Sequence, residues 1–153
     1  MPLTIDLADE AATTRLGAMV ARLLRPGDAV CLTGPLGAGK STLARGLIRA
    51  MTRPDEDVPS PTFTLVQFYD TPGFSLAHFD LYRLARPEEV DEIGLDEALD
   101  QGAVVIEWPE RLEGRLPADR LDIEIAMAGE GAEEHRVARL NPHGAWEGRT
   151  VEF

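Results

Sequence analysis

The chain of 153 residues has one cysteine, one lysine and few cationic side chains in all. No stretch reaches the roughly 18 to 20 apolar residues that a membrane-crossing helix needs. A single cysteine excludes an internal disulfide, and Cys31 lies inside the apolar run Ala29-Val30-Cys31-Leu32, where a thiol packs as a small hydrophobe. The opening Met1-Pro2-Leu3-Thr4-Ile5-Asp6 has no basic stretch followed by an apolar one, so the expectation is a cytoplasmic protein with no membrane association. Against 27 Asp and Glu stand 15 Lys and Arg, a formal net charge of -12. Affinity for phosphate backbones comes from clustered Lys and Arg, so this balance opposes tight, unaided binding of nucleic acid. Of the 15 cationic residues only Lys40 is a lysine.

A hydrophobic content of 44% in a chain of this length predicts one domain, residues 1–153, with a single substantial core. Residues 3–7 read as a short strand. Leu16, Met19, Val20, Leu23 and Leu24 then recur at helical spacing until Pro26-Gly27-Asp28 stops the pattern. Ala29–Thr33 reads as a fully buried strand, followed by a glycine-rich turn and a helix with Leu43, Ala44, Leu47, Ile48 and Met51 on one face. From Thr52 to Pro61 three prolines and three carboxylates without hydrophobic period predict an exposed loop. Strands are expected at Thr62–Tyr69 and Phe74–Phe79 around Asp70-Thr71-Pro72-Gly73, a four-residue hairpin turn. Short helices are expected at 87–93 and 95–99 on either side of Gly94, then a buried strand at 103–106. Finally, 121–125 alternates and pairs with 135–140 across Gly129-Glu130-Gly131. No repeat or linker divides the chain.

Gly34-Pro35-Leu36-Gly37-Ala38-Gly39-Lys40-Ser41 satisfies G-x-x-x-x-G-K-[ST] at every fixed position, and it lies between a predicted strand and a predicted helix as that phosphate-binding loop requires. Small residues let the backbone curl round a phosphate with its N–H groups inward, and the helix that follows offers its positive end. Gly34, Leu36, Gly37, Ala38, Gly39, Lys40, Ser41 and Thr42 are therefore the candidate nucleotide-binding residues. Lys40 would reach the β- and γ-phosphates, and the Ser41 hydroxyl would ligate Mg²⁺. An ordinary glycine-rich turn is the bland alternative, and the lone lysine argues against it. A dinucleotide fingerprint is weak, because no third glycine completes G-x-G-x-x-G.

Hydrolysis needs acids at the same sheet edge. Asp80 follows the apolar run 74–79, where a Walker-B type aspartate would hold Mg²⁺ or its water; the alternative is a solvated strand-end carboxylate. Glu107 follows Ala103-Val104-Val105-Ile106 in the same manner, placed to complete a metal shell or orient water. Trp108, next to it, reads equally as core packing or as a neighbour of the site.

Four blocks in order, Gly34–Thr42, Ser60-Pro61-Thr62-Phe63-Thr64-Leu65, His78-Phe79-Asp80-Leu81-Tyr82-Arg83-Leu84 and Glu107-Trp108-Pro109-Glu110-Arg111, make the chain resemble the TsaE family, also called YjeE. The resemblance spans about two thirds of the chain. It implies an α/β, P-loop NTPase-like three-layer fold with a central, mostly parallel sheet and an antiparallel hairpin portion. It further implies an ATP-binding and ATP-hydrolysing accessory protein of tRNA threonylcarbamoyladenosine synthesis. In that scheme Asp80 is the Walker-B acid, Glu107 helps hold Mg²⁺, Thr62 belongs to a nucleotide-sensitive loop and Trp108 lies close to ATP. TsaD and TsaB would be its partners, with tRNA reached only indirectly through them. Two departures stand out: the family usually has an acid at the position of Pro35 and threonine at that of Ser41. Ser41 keeps the metal-binding hydroxyl, while Pro35 removes one amide donor. Residues beyond 111 match only in general character and receive no catalytic role.

Other readings weigh less. A small-molecule kinase needs an arginine-bearing lid that no segment supplies, and a GTPase needs an N-K-x-D lysine, whereas the only lysine is in the phosphate loop. A nucleotide-sensing module with little hydrolysis has the same sequence signature. The acidic stretch 87–100 reads first as a solvated helical face and second as a docking surface for a basic partner. His78 falls in a matched block with its role open, and His135 and His143 lack metal-ligand spacing.

Overall fold

The computed structural model describes residues 2–61 and 64–153, with the Glu133 side chain left aside. The elements are β1 (Leu3–Leu7), α1 (Glu10–Ala21), β2 (Ala29–Thr33), α2 (Lys40–Met51), β3 (Val66–Thr71), β4 (Phe74–Asp80), α3 (Glu89–Glu92), α4 (Leu95–Gln101), β5 (Gly102–Glu107), β6 (Arg120–Ala128) and β7 (His135–His143). Seven strands form one sheet in the order β1-β7-β6-β2-β5-β4-β3. Its centre, β6-β2-β5-β4, is parallel; antiparallel pairs flank it as β1-β7-β6 on one side and β3-β4 on the other.

Two cores lie on opposite faces of the sheet, which makes the fold three-layered. On one face Val30, Leu32, Val105 and Ile123 pack under Leu16 and Val20 of α1 and Leu43, Leu47 and Ile48 of α2. On the other, Cys31, Phe79, Val104 and Ile106 pack against Leu81, Val90, Leu95 and Leu112. Strands buried on both faces carry no polar alternation, so β2 and β5 read as continuous apolar runs. Helices α1 and α2 touch backbone to backbone: a Cβ on Gly17 would collide with the Leu43 carbonyl, and one on Gly46 with the Thr14 carbonyl. This approach brings the first turn of α1 beside the start of α2, where the phosphate-loop motif lies.

Several boundaries differ from the sequence expectation. Helix α1 stops at Ala21, with Leu23 and Leu24 in a tightened turn bonded to the carbonyls of Val20 and Ala21 at 3.0 and 3.3 Å. Strand β3 begins at Val66, because Leu65 turns with φ 68° and donates to the Pro61 carbonyl at 2.7 Å. The strand also runs on through Thr71, so the hairpin turn is Pro72-Gly73 alone. Proline fixes its own φ and Gly73 takes φ 96°, the pairing of a type II turn. The C-terminal hairpin is longer than the alternating segments suggested, reaching Ala128 and His143. After it Trp146 is buried beneath α1's side of the sheet, and Arg149 pairs with buried Asp28. No helix among the described residues is long and apolar enough to cross a membrane.

Candidate functional site

The carboxyl ends of the parallel strands meet at one edge of the sheet, and a cavity of about 410 Å³ opens there. Its wall includes Leu36, Gly37, Gly39, Lys40, Ser41 and Thr42 from the glycine loop, Asp80 from β4, and Glu107 and Trp108 from the end of β5. Ligand sites in open α/β sheets lie at this edge. Gly34, Gly37 and Gly39 all have positive φ, of 141°, 81° and 111°. Gly39 is the N-cap of α2 and gives its first turn no side-chain bond, so the leading amides of that helix remain open to an anion. Gly34 and Ala38 shape the loop from outside the cavity wall: the Gly34 carbonyl accepts from Lys40, and the Ala38 N–H donates to the Pro35 carbonyl at 3.1 Å. Proline at 35 is accommodated because its carbonyl, not the N–H it lacks, makes that turn.

Lys40 is 5% exposed. Its Nζ donates to the Gly34 carbonyl at 2.5 Å and stands 3.5 Å from the centroid of the Trp108 ring. Burial lowers its pKa from the ordinary lysine value, a shift opposed by the charges of Glu107, Glu110 and Asp80. An arriving phosphate would compensate the buried cation further.

Asp80 and Glu107 are side-by-side register partners on β4 and β5, both almost wholly buried. Glu107 is gripped at both oxygens: Ser41 donates Oγ–H to Oε1 at 3.1 Å, and His78 meets Oε2 through Nε2 at 2.7 Å. The other ring nitrogen of His78, Nδ1, is buried with no partner among the described residues. An orphaned buried N–H costs more than a bare lone pair, which assigns the proton to Nε2 and makes His78 the donor. Asp80 accepts the Tyr82 N–H at 3.1 Å. The oxygen set of Ser41, Asp80 and Glu107 is hard and suits Mg²⁺. Among the described residues no group of three or more His, Cys, Asp and Glu could hold a metal. Mg²⁺ commonly takes one or two carboxylates and fills its shell with waters and substrate phosphates, so the residues present fit a metal carried by a nucleotide. The Ser41 hydroxyl, donating its hydrogen to Glu107, keeps its lone pairs for such a cation.

Trp108 holds φ 60° and ψ 49°, a conformation rare for so bulky a side chain and of the kind that clusters at functional sites. The turn is tied by the Arg111 N–H donating to the Trp108 carbonyl at 3.1 Å. It swings the indole beside Lys40 and against Tyr82, whose ring centroid is 5.0 Å away.

Every described candidate is thus gathered at this edge, on the cavity wall or directly behind it. Thr62 lies outside the described residues. Ser60, just before it, does line the cavity. Tyr82, from the matched block after β4, lines the cavity too, and so do residues that no motif singled out: Glu10 and Thr13 at the start of α1, and Arg136 on β7. Arg136 donates from Nη2 to the Gly37 carbonyl at 2.9 Å across 99 positions of chain. No spacing rule marks it, since only the sheet order brings β7 to this edge. His78 and Tyr82 stood in a matched block, but their roles needed the geometry. The acidic residues of 87–100 lie on the outer side of α3 and α4, whose buried positions are Val90, Leu95 and Ala98.

Comparison with known proteins points the same way. The family described as "Threonylcarbamoyl adenosine biosynthesis protein TsaE" matches residues 7–137. Curated relatives named "tRNA threonylcarbamoyladenosine biosynthesis protein TsaE" include one from Haemophilus influenzae, 35% identical over 145 residues that cover 91% of each chain. One from Bacillus subtilis is 38% identical over 125 residues, 80% of this chain and 76% of the relative. Another from Rickettsia felis is 38% identical over 124 residues, 81% of this chain and 72% of the relative. Among solved structures the crystal structure of Bacillus subtilis YdiB superposes with a TM-score of 0.74 at 30% identity, covering 94% of this chain and 87% of that one.

Proposed function

Since the chain belongs to the TsaE family of threonylcarbamoyl adenosine biosynthesis proteins, we propose that it binds Mg²⁺-ATP in the cavity at the sheet edge and hydrolyses it in the service of that tRNA modification. The observation that carries the reading is the contact of Ser41 with Glu107 beside an uncapped α2 N-terminus and a buried Lys40. Ser41, with Asp80 and Glu107, would hold Mg²⁺, which would supply positive charge to offset the charge developing on the phosphoryl group. Lys40 reaches for the β- and γ-phosphates, and the α2 amides bind the same anion. Glu107, fixed by His78, holds the Ser41 hydroxyl by its hydrogen and so would leave the oxygen lone pairs for the cation, while the Asp80 carboxylate would orient water.

The reading places the protein in the cytoplasm with TsaD and TsaB as partners, and with tRNA reached through them. The loop leading to Ser60 supports a nucleotide-sensitive contact with those partners, because it joins the cavity wall to the exposed surface. A small-molecule kinase would need a second, acceptor pocket opening onto the same phosphates, and nothing in the cavity wall favours one. Phosphate release should be measured with ATP and Mg²⁺ alone, with EDTA, and with purified TsaD and TsaB. Slow Mg²⁺-dependent release that the partners alter is expected. No phosphate release above background under any of the three conditions would overturn the proposal. Because a ligand shifts assembly only through unequal affinities for two states, ATP and ADP should also give different affinities for the TsaD and TsaB pair.

A further inference from the structure

The cavity is lined by two chemically different groups of residues. Ser41 and Glu107 meet beside Asp80 on one part of its wall; on another, Thr13 of α1 and Arg136 of β7 stand against Gly39, with Glu10 one helical turn before Thr13. Arg136 is half-buried, and its Cδ and Nε lie 3.7 and 3.8 Å from where a Cβ on Gly39 would stand. Among the described residues its guanidinium makes one hydrogen bond, to the Gly37 carbonyl, and pairs with no carboxylate. Its Nε is buried without a partner. A guanidinium has five N–H donors, so most of this one's donors are uncommitted at the wall of a ligand cavity.

Glu10 decides which part of a ligand belongs there. It is exposed, sits in the first turn of α1 one turn before Thr13, and lines the cavity. A carboxylate repels phosphate but accepts from hydroxyl and amine groups. With the phosphates drawn to Lys40 and the α2 amides, what extends past them toward Glu10 and Arg136 is the uncharged part of a nucleotide. We infer that Arg136 and Glu10 form a nucleoside subsite, in which Arg136 donates to and stacks on the sugar and base while Glu10 accepts from their hydroxyl or amine groups. The inference rests on the nucleotide reading above and adds the two residues that recognise the nucleoside, from elements outside the phosphate-loop motif.

The test compares affinities for ATP, ADP and inorganic pyrophosphate by calorimetry in Arg136→Met and Glu10→Gln. Methionine keeps an apolar stem against Thr13 and Gly39, and the loop retains its Lys40–Gly34 and Ala38–Pro35 bonds. Arg136→Met should weaken ATP and ADP by the same factor, about ten- to a hundredfold, as expected for lost charged hydrogen bonds. Pyrophosphate affinity should change less than about threefold, and the ligand-free unfolding midpoint should hold. Glu10→Gln, at an exposed position that leaves folding untouched, should weaken both nucleotides about three- to tenfold without weakening pyrophosphate. Loss confined to ATP would make Arg136 a γ-phosphate sensor and overturn the inference. A parallel loss of pyrophosphate would reduce Arg136 to a brace for the loop and overturn it equally, as would unchanged nucleotide affinity in both variants. A wild type that binds none of the three probes would instead bring down the nucleotide reading itself.

Discussion

Replacing Glu107 by glutamine removes one charge at constant size, and the hydrogen bonds around the carboxylate determine the effect. Both of its oxygens accept, from Ser41 Oγ at 3.1 Å and His78 Nε2 at 2.7 Å. An amide has only one oxygen, so it cannot serve both partners unchanged. With the oxygen toward Ser41, the new NH₂ faces His78, whose proton must move to Nδ1. That atom is buried with no acceptor among the described residues, so this arrangement costs an orphaned donor of about 1–3 kcal/mol. With the oxygen toward His78, the NH₂ donates to the Ser41 hydroxyl and occupies a lone pair that the metal needs. The second arrangement costs less and should dominate. Stability then falls by about 1–2 kcal/mol, a drop in Tm of roughly 2–8 °C for a chain of this size, partly offset by relief of a buried charge. Mg²⁺-dependent ATP turnover should fall by about 10²–10³, and the Mg²⁺ concentration for half-maximal rate should rise, while nucleotide affinity without metal stays near that of the wild type. Thermal unfolding and a Mg²⁺ titration of phosphate release measure the two effects separately. Full turnover at ordinary Mg²⁺ in the folded variant would refute the assignment. Additive destabilisation by Glu107→Gln and His78→Ala in a double-mutant cycle would refute the shared network.

Lys40→Ala should leave the fold intact and weaken ATP binding by about a hundredfold or more, because the Nζ hydrogen-bonds to the loop, stands over the Trp108 ring and faces the cavity; calorimetry and circular dichroism together check this. Asp80→Asn keeps an oxygen for the Tyr82 N–H, so folding should be preserved while hydrolysis falls by about tenfold or more and ATP affinity changes less, as read by single-turnover phosphate release. Cys31, fully buried in β2, has its thiol pushed up to about 12 by burial, so iodoacetamide at pH 8 should label the native protein only through unfolding, and rapid labelling would contradict the buried strand. The same shift sets a sign for stability: below pH 9 the thiol is protonated in both states, and between 9 and about 12 the unfolded chain loses its proton first, so the Cys31 contribution declines as pH rises through that window.

Much of the frame was legible in the residue order because local chemistry determines it. A run such as Ala29–Thr33 has no polar position to offer solvent, so it becomes an interior strand, and a glycine-rich turn before an apolar-faced helix places the phosphate loop. Leu65 was misread as strand because its side chain suits one; its positive φ comes from a turn back onto Pro61 that no propensity encodes. Trp108 was ambiguous for a similar reason. Its indole could be assigned to core or site only once the left-handed turn after β5 was seen to bring it against Lys40.

Arg136 escapes sequence reasoning because it acts from a distant strand whose own pattern is unremarkable. Arg136 stands opposite Leu7 on β1 and Met127 on β6, positions that say nothing about a phosphate loop 99 residues earlier. It reaches the loop because β7 runs antiparallel to β6, which begins this strand at the edge where the parallel strands end. His78 shows the converse. It lies two residues before Asp80 and so points to the same side of β4, and parallel pairing of β4 with β5 sets Asp80 beside Glu107. Strand spacing therefore accounts for His78 entering the carboxylate's neighbourhood. Only the contact itself reveals that it holds Glu107 in place for Ser41, a positioning task that composition and periodicity do not distinguish from the packing of a buried ring.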